Sequence, residues 1–316
     1  MANALDALFS ILIFPGFLFL SFFGLAAEYL DRKFHAILQN RVGPPWYQPV
    51  ADMIKLVAKQ TIVPEHADNV IFRLMPVIAL TSIVTAFLYI PMWGTKAIFS
   101  FTGDIIVVLY LLTIPTFTFF LGGWYSRSVF AMIGAGRTIM QLFAYEIPLL
   151  LSILAPALLA DTWSISEMTV FYNLHPLLGL CNVVAFAVAL TALLGKLEKV
   201  PFDIPEAETE IVAGSFTEYT GRLLATFRIA LDMEMVVGAS LLAAVFIPYG
   251  LGFGPVIGFV LYVAKVLFIV AMLCILRTIF ARLRIDQMIN FCWKYLAPVA
   301  FAQLLLNLVI KGIHAQ

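Results

Sequence analysis

Apolar runs of about 20 residues recur along the chain, and polar residues gather between them. A bilayer core about 30 Å thick needs roughly 20 apolar residues per helix. That length fits near 8–27, 71–93, 104–122, 138–160, 177–195, 223–247, 255–279 and 291–310. The pattern predicts an all-α polytopic membrane protein with about eight transmembrane helices in a single integral membrane domain, 1–316. The first run follows Asp6 and has no cation before Arg32, so it is expected to be a retained helix rather than a cleaved signal.

Two polar stretches are too ordered in pattern to be plain linkers. In the segment 45–60, Val50, Ile54 and Val57 recur at helical spacing while Asp52, Lys55 and Lys59 fall elsewhere, as in an amphipathic helix lying at the membrane surface. The acidic loop 196–222 carries Glu198, Asp203, Glu206, Glu208, Glu210 and Glu218, flanked by cations and interspersed with Phe202, Ile204 and Ile211. Asp203 three residues before Glu206 resembles an Asp-type capping box and Gly214 a C-cap, which predicts a short helix near 204–213. On it Glu206 and Glu210 share a face and Glu208 points nearly opposite.

Cations set the orientation, because Lys and Arg near helix ends prefer the cytoplasmic side. The odd-numbered connections hold Arg32, Lys33, Arg41, Lys55, Lys59, Arg127, Arg137, Lys196, Lys199, Arg222, Arg282 and Arg284, against little beyond Lys96 and Lys311 on the other side. Both termini are therefore expected outside, with the odd-numbered connections, the amphipathic segment and the acidic loop in the cytoplasm.

The chain is 62% hydrophobic and 12% charged, which excludes a water-soluble globule, and zero net charge leaves no electrostatic footprint for a nucleic acid. Cys181, Cys274 and Cys292 are far apart and read as packing residues, and the four histidines show no ligand spacing, so no metal or haem site is expected on this chain. There is no GxSxG elbow, HExxH or P-loop to support hydrolytic chemistry. No internal repeat is evident.

Charged groups within the apolar runs are costly unless paired or hydrated, which makes each a functional candidate. Glu146 lies two residues before Pro148, whose missing N–H frees the Ala144 carbonyl and favours a bend. Arg137, Gln141 and Tyr145 follow one another at i+4 spacing on a neighbouring face. The sixth run holds Arg228, Asp232 and Glu234, and the seventh Lys265. Arg228 and Asp232 are spaced to neutralise each other, and Lys265 can pair with Glu234 or Asp232. Such a chain of acids and a base, hydrated, can carry protons.

The stretches LDRKFHAILQNRVGP, QPVADMIKLVAKQ, GAGRTIMQLFAYEIP, PFDIPEAETEIVAGSFTEYTG and ARLRIDQM with WKYLAP resemble, in that order, the signature segments of the heel subunit of respiratory complex I. The resemblance covers nearly the whole chain. Only Pro45, Trp46 and Tyr47 separate RVGP from QPVAD, where the quinone-reducing enzymes carry a longer, glycine-containing insert. Lys196 stands seven residues before Asp203, where a carboxylate is usual. With ARLRID and Arg228, this looks like the membrane-bound [NiFe]-hydrogenase, formate hydrogenlyase and sulfane reductase branch.

The resemblance implies a non-catalytic, ion-coupling anchor subunit in the cell membrane of a prokaryote, linking redox chemistry in a peripheral arm to proton or sodium translocation. Its implied partners are a hydrogenase-like large subunit, a small iron–sulfur subunit, antiporter-like and other small membrane subunits, and the lipid bilayer. Iron–sulfur clusters and a [NiFe] site would belong to those partners. Proton-path candidates are Glu146, Glu198, Asp203, Glu206, Glu208, Glu210, Glu218, Asp232, Glu234 and Lys265; Asp232 is one position off the family's sixth-span acid. Gln39, Arg41, Arg137, Lys196, Lys199, Arg282 and Arg284 are the candidates for the interface with the arm. The alternatives are a quinone-site subunit of an NADH:quinone oxidoreductase, a free-standing secondary ion transporter, and a passive anchor.

Overall fold

The computed structural model describes residues 4–92, 94, 96–206, 208–250 and 254–314, except for the side chains of 4, 5, 208, 209 and 314. Among the described residues the regular structure is helical throughout. Its first element, α1 (Ala4–Leu12), is separated from α2 (Phe17–Leu38) by Pro15 and Gly16. Proline removes a donor there, and a Cβ on Gly16 would meet the Ile11 carbonyl oxygen at 1.9 Å, so the chain breaks and resumes as one apolar segment, Asp6–Leu38. The first span thus runs on to Leu38, past the expected 27, carrying Glu28, Asp31 and Arg32 on its helix.

The amphipathic segment forms α3 (Gln48–Ala58), started by Pro49. Val50, Ile54 and Val57 are exposed on it, as the sequence pattern requires of a face turned to lipid. Next comes α4 (Asn69–Leu88), capped by Asp68, whose side chain accepts the Val70 and Ile71 N–H groups. It ends before the expected 93; Trp93 lies outside the described residues. The following pair is α5 (Asp104–Tyr125) and α6 (Val129–Ala160). The latter starts nine residues before the expected 138 and runs through Pro148 and Pro156. Its 32 residues span about 48 Å, more than the thickness of a hydrocarbon core.

Short α7 (Ile165–Leu174) and α8 (Pro176–Leu180) precede α9 (Val183–Lys196). The expected fifth span is therefore a broken helix whose main part is 14 residues, or about 21 Å, long. The sixth is α11 (Gly221–Phe246), preceded in the acidic loop by a single turn, α10 (Glu208–Ile211). The seventh is α12 (Pro255–Ile279). The last apolar segment is compound: α13 (Ile285–Phe291), a π-helical turn over 292–296 and α14 (Ala297–His314). Among the described residues, seven helices are long and apolar enough to cross a membrane, and α9 is a shorter apolar helix.

Central position belongs to α11, in which every residue from Met233 to Phe246 is buried. It packs against α2, α4, α12, α3 and α9, while α5, α6 and α14 extend the bundle on the other side. Apolar side chains such as Phe22, Val77, Phe143 and Val260 point outward around this ring, the arrangement lipid stabilises.

The odd-numbered connections meet at one end. Ile62 N–H donates to Thr220 Oγ1 at 2.9 Å, Asp68 N–H to the Tyr125 carbonyl and Leu283 N–H to the Pro201 carbonyl. The acidic loop is folded against the bundle, with Phe202, Ile204, Ile211 and Phe216 buried. The expected helix at 204–213 shrinks to one turn because Val212 and Gly214 have positive φ (65° and 53°) and the chain tightens into a 3-10 turn at Gly214–Phe216. Gly214 does not cap a long helix. It lets the backbone pass Pro205, whose carbonyl oxygen would lie 1.7 Å from a Cβ. On the facing helix, a Cβ at Gly134 would meet Ser215 N at 2.5 Å, so the two glycines together seat the loop on α6.

Candidate functional site

Between α2, α3, α11 and the acidic loop lies a cavity of about 570 Å³. Eleven of its 18 lining residues are charged, among them Glu28, Arg32, Asp52, Glu198, Asp203, Glu206, Arg228 and Asp232; Leu197, Leu224 and Leu231 are among the apolar remainder. The charge comes from elements far apart in sequence, which the shared end of the odd connections brings together.

On the α2 side the acids and bases form a balanced network. Asp31 is 1% exposed and pairs with Lys199 at 2.6 Å and Arg277 at 2.9 Å. Glu28 pairs with Arg32 at 2.7 Å and Lys199 at 3.4 Å, and Arg32 reaches Asp52 of α3 at 3.1 Å. Three carboxylates thus face three cations. Burial lowers the pKa of Lys199, but Glu28 and Asp31 outweigh it, and the ammonium is held above its ordinary range. Asp31, Glu28 and Arg277 were not among the sequence candidates. The signal available was Asp31 and Glu28 at i, i+3 on a helix whose apolar length already sufficed to span.

On the loop side, Glu198 is 8% exposed and its Oε1 has no hydrogen-bond donor. Burial, then repulsion from Glu206, Glu234 and Asp203, push its carboxyl well above the usual range, so it holds a proton where a free glutamate has lost it. Glu206 pairs with Arg228 at 2.9 Å. That replaces the expected Arg228–Asp232 pair, because the loop folds over α11 and offers the guanidinium a closer partner. Asp203 lines the cavity, and Asp232 lines its bundle edge among Glu28, Arg32 and Lys199.

Deeper still, Lys196 is 1% exposed and lies 3.4 Å from Glu234, which is 0% exposed. The ammonium also donates to the Leu112 carbonyl of α5 and sits 5.6 Å from the centre of the Tyr145 ring. Tyr145 OH bonds Thr116 Oγ1 at 2.9 Å, and Gln141 Nε2 donates to the carbonyls of Gly195 and Phe202 at 2.7 and 2.9 Å. Gln141 thus fastens the end of α9 and the start of the acidic loop to α6, and Tyr145 ties α6 to α5. Glu146, the next residue on α6, feels the Lys196 charge and has an unpartnered Oε2.

Several expectations change in this setting. Lys196 and Lys199 are not at the bundle surface: the hydrophobic stem of each is drawn inward by buried carboxylates, Glu234 and Asp31. Lys265 is remote from Glu234 and Asp232. It donates to the Tyr249 carbonyl at the opposite end, and lines a small pocket with Tyr262 and Ser240. Of the cysteines, Cys274 and Cys292 are buried packing residues, but Cys181 is on the surface.

The remaining candidates stay outside the cavity. Arg137 donates to Glu210 at 2.6 Å, and Arg282 approaches the same carboxylate at 3.9 Å. That hydrogen bond and charge hold the exposed Glu210 carboxyl below its ordinary range. Gln39, Arg41 and Arg284 are exposed at this end, and Glu218 is half-buried in the loop. The side chain of Glu208 lies outside the described residues. Asp104, fully buried at the opposite end, was also missed; it accepts the Ile165 N–H at 2.6 Å and ties α5 to the start of α7. Among the described residues no group of three or more His, Cys, Asp or Glu is arranged to hold a metal ion.

Comparison with known proteins places this geometry. A family model described as NADH dehydrogenase matches residues 10–308. A subunit of the NADH-quinone oxidoreductase of Carboxydothermus hydrogenoformans is 32% identical over 313 residues, covering 94% of this chain and 85% of that protein. The equivalent NADH-quinone oxidoreductase subunit of Dehalococcoides mccartyi is 33% identical over 291 residues, covering 88% and 80%. Among solved structures, a chain of the membrane-bound sulfane sulfur reductase, an archaeal respiratory membrane complex, matches with a TM-score of 0.81 at 26% identity, covering 92% of this chain and 96% of that chain.

Proposed function

The chain belongs to the NADH dehydrogenase family of complex-I-like membrane subunits, and from that premise we propose that it is the ion-coupling membrane anchor of a respiratory oxidoreductase of the membrane-bound hydrogenase or sulfane reductase type. The observation that carries this reading is a succession of buried acceptors without protein donors: Glu198 Oε1, Gln141 Oε1, Glu234 Oε2 and Glu146 Oε2. Buried polar atoms left in this state are costly, and water is the partner that satisfies them. These acceptors belong to the cavity lining and to the buried faces of α6 and α11 beyond it, and they support reading the set as a proton relay. Redox events in a peripheral arm would change the charge at the acidic loop and so shift proton occupancy through Glu198 towards Glu234 and Glu146.

The arm would dock on the end where Gln39, Arg41, Arg282 and Arg284 are exposed, which positive-inside placement makes cytoplasmic. There the partners would be a hydrogenase-like large subunit and a small iron–sulfur subunit, with antiporter-like subunits beside the bundle. A quinone-site role is the second reading, favoured by the likeness to two NADH-quinone oxidoreductases. With eleven charged lining residues the cavity suits water and ions better than an isoprenoid tail, so no step is assigned to a quinone. The test is to reconstitute the complex with Glu146→Gln or Glu234→Gln and measure ion pumping separately from electron transfer. Pumping should fall at least tenfold while electron transfer persists; wild-type pumping in both variants overturns the relay.

A further inference from the structure

We propose that Lys196 is the positioning residue of a two-carboxylate, one-proton site, acting as the shared counter-ion of Glu234 and Glu146. The inference rests on the relay reading above and assigns it an internal cation. Three observations support it. The pair Lys196–Glu234 is sealed, at 1% and 0% exposure, and lies on the central helix and the end of α9. Glu146 is under the influence of the same ammonium and of repulsion from Glu234, while its Oε2 has no donor. The ammonium is held over Tyr145, the residue beside Glu146, by the Leu112 carbonyl of α5, so it stands between α6 and α11 rather than at the surface of either.

Charge balance then fixes the proton count. Two carboxylates and one ammonium, all ionised, would leave one net negative charge in a largely buried place where Lys196 and Glu234 are sealed, an arrangement disfavoured in a low dielectric. One proton on either acid makes the site neutral. Whichever acid is neutral, the ammonium pairs with the other. Transfer passes that proton from one carboxyl to a water molecule between the acids, which gives up a proton to the other's carboxylate oxygen, and the ammonium changes partner without changing its own protonation. Tyr145 and, from the cavity end, Glu198 are the other titratable groups facing this site. Glu198 and Glu234 repel each other when both are ionised, which helps keep the proton inside.

The experiment is infrared spectroscopy of the intact complex in the carboxylic-acid C=O region, with exchange into D₂O to identify the bands, alongside pumping and electron-transfer rates. Lys196→Met should add one protonated-carboxyl band relative to wild type, because both acids must then be neutral. It should also lower pumping at least tenfold with electron transfer retained within twofold. Lys196→Arg should keep the wild-type band count. The variant Lys196→Met with Glu234→Met removes the pair together and should return the count to that of wild type, Glu146 alone remaining protonated. An unchanged count in Lys196→Met, or a count one lower in the double variant, overturns the proposal. If Glu146→Gln and Glu234→Gln abolish pumping while Lys196→Met pumps normally, only the role of Lys196 fails; if all three pump normally, the relay fails with it.

Discussion

Replacing Asp31 with Asn keeps the size of the side chain and removes one charge from a network balanced at three against three. Asp31 is 1% exposed, whereas the Lys199 and Arg277 side chains that it pairs retain 16% and 25% exposure. Breaking a buried ion pair by deleting one partner costs about 3–5 kcal/mol. Both cations can recover some hydration through the cavity, and Lys199 keeps Glu28 at 3.4 Å. A loss near the lower end, about 3 kcal/mol, is therefore expected. For a chain of this size, at about 2 °C per kcal/mol, the thermal midpoint should fall by roughly 6 °C. The assay is aggregation of the detergent-solubilised complex during heating at a fixed scan rate, read as a shift from wild type. Adding Arg277→Met to Asp31→Asn should recover about 1 kcal/mol relative to the sum of the single changes. A fall below about 2 °C, together with strict additivity in the double variant, would refute the reasoning that the network is a buried, charge-balanced unit.

Three further outcomes follow from the loop and its seat. Because folded Glu198 keeps its proton above the ordinary value of 4.5 and the unfolded chain does not, the stability of the neutral form is full below that pH and drains as pH rises towards the raised value. Glu198→Gln, which cannot ionise, should match wild type at low pH and exceed it in thermal midpoint by a growing margin up to pH 8; a pH-independent difference contradicts this. Gly134→Ala would bring a methyl group to 2.5 Å from Ser215 N and 2.6 Å from Gly214 Cα, an overpacking of about 1–3 kcal/mol, and limited proteolysis at Lys199 or Arg222 should speed up as the acidic loop lifts from α6. Arg137→Gln should let the Glu210 carboxyl rise back to its ordinary range, followed by isotope-labelled carboxyl NMR. The wild-type contribution, present above that range, should disappear as pH falls through the lowered value and shrink at about 0.5 M salt.

Much of the architecture was legible in the chain because the bilayer imposes a length rule that any 20-residue apolar run reports. The amphipathic periodicity of α3 and the apolar residues within the acidic loop depend on neighbouring positions only; the first predicted a helix with an exposed apolar face and the second a loop packed on the bundle. Where boundaries were missed, the cause on α2 was Glu28, Asp31 and Arg32 riding on a helix that outruns the apolar pattern, and on α6 it was Arg137 with Gly134 and Gly136 interrupting an apolar start at Val129. The loop helix was overextended because the pattern read Gly214 as a stop rather than as a close approach to Pro205.

The ordered signature segments and the run lengths determined, without any coordinates, that this is a helical membrane subunit of a complex-I-like type. They also supplied the acids from which a relay could be drawn. Which charge meets which was decided by tertiary structure alone. Lys196 with Glu234, Lys199 with Asp31 and Arg228 with Glu206 are partners 38, 168 and 22 residues apart, while the i+4 pairing of Arg228 with Asp232 suggested by the helix did not form. In a low-dielectric interior the pairing energy depends on ångström-scale separation and on shared burial, and both are properties of packed helices rather than of spacing along one of them.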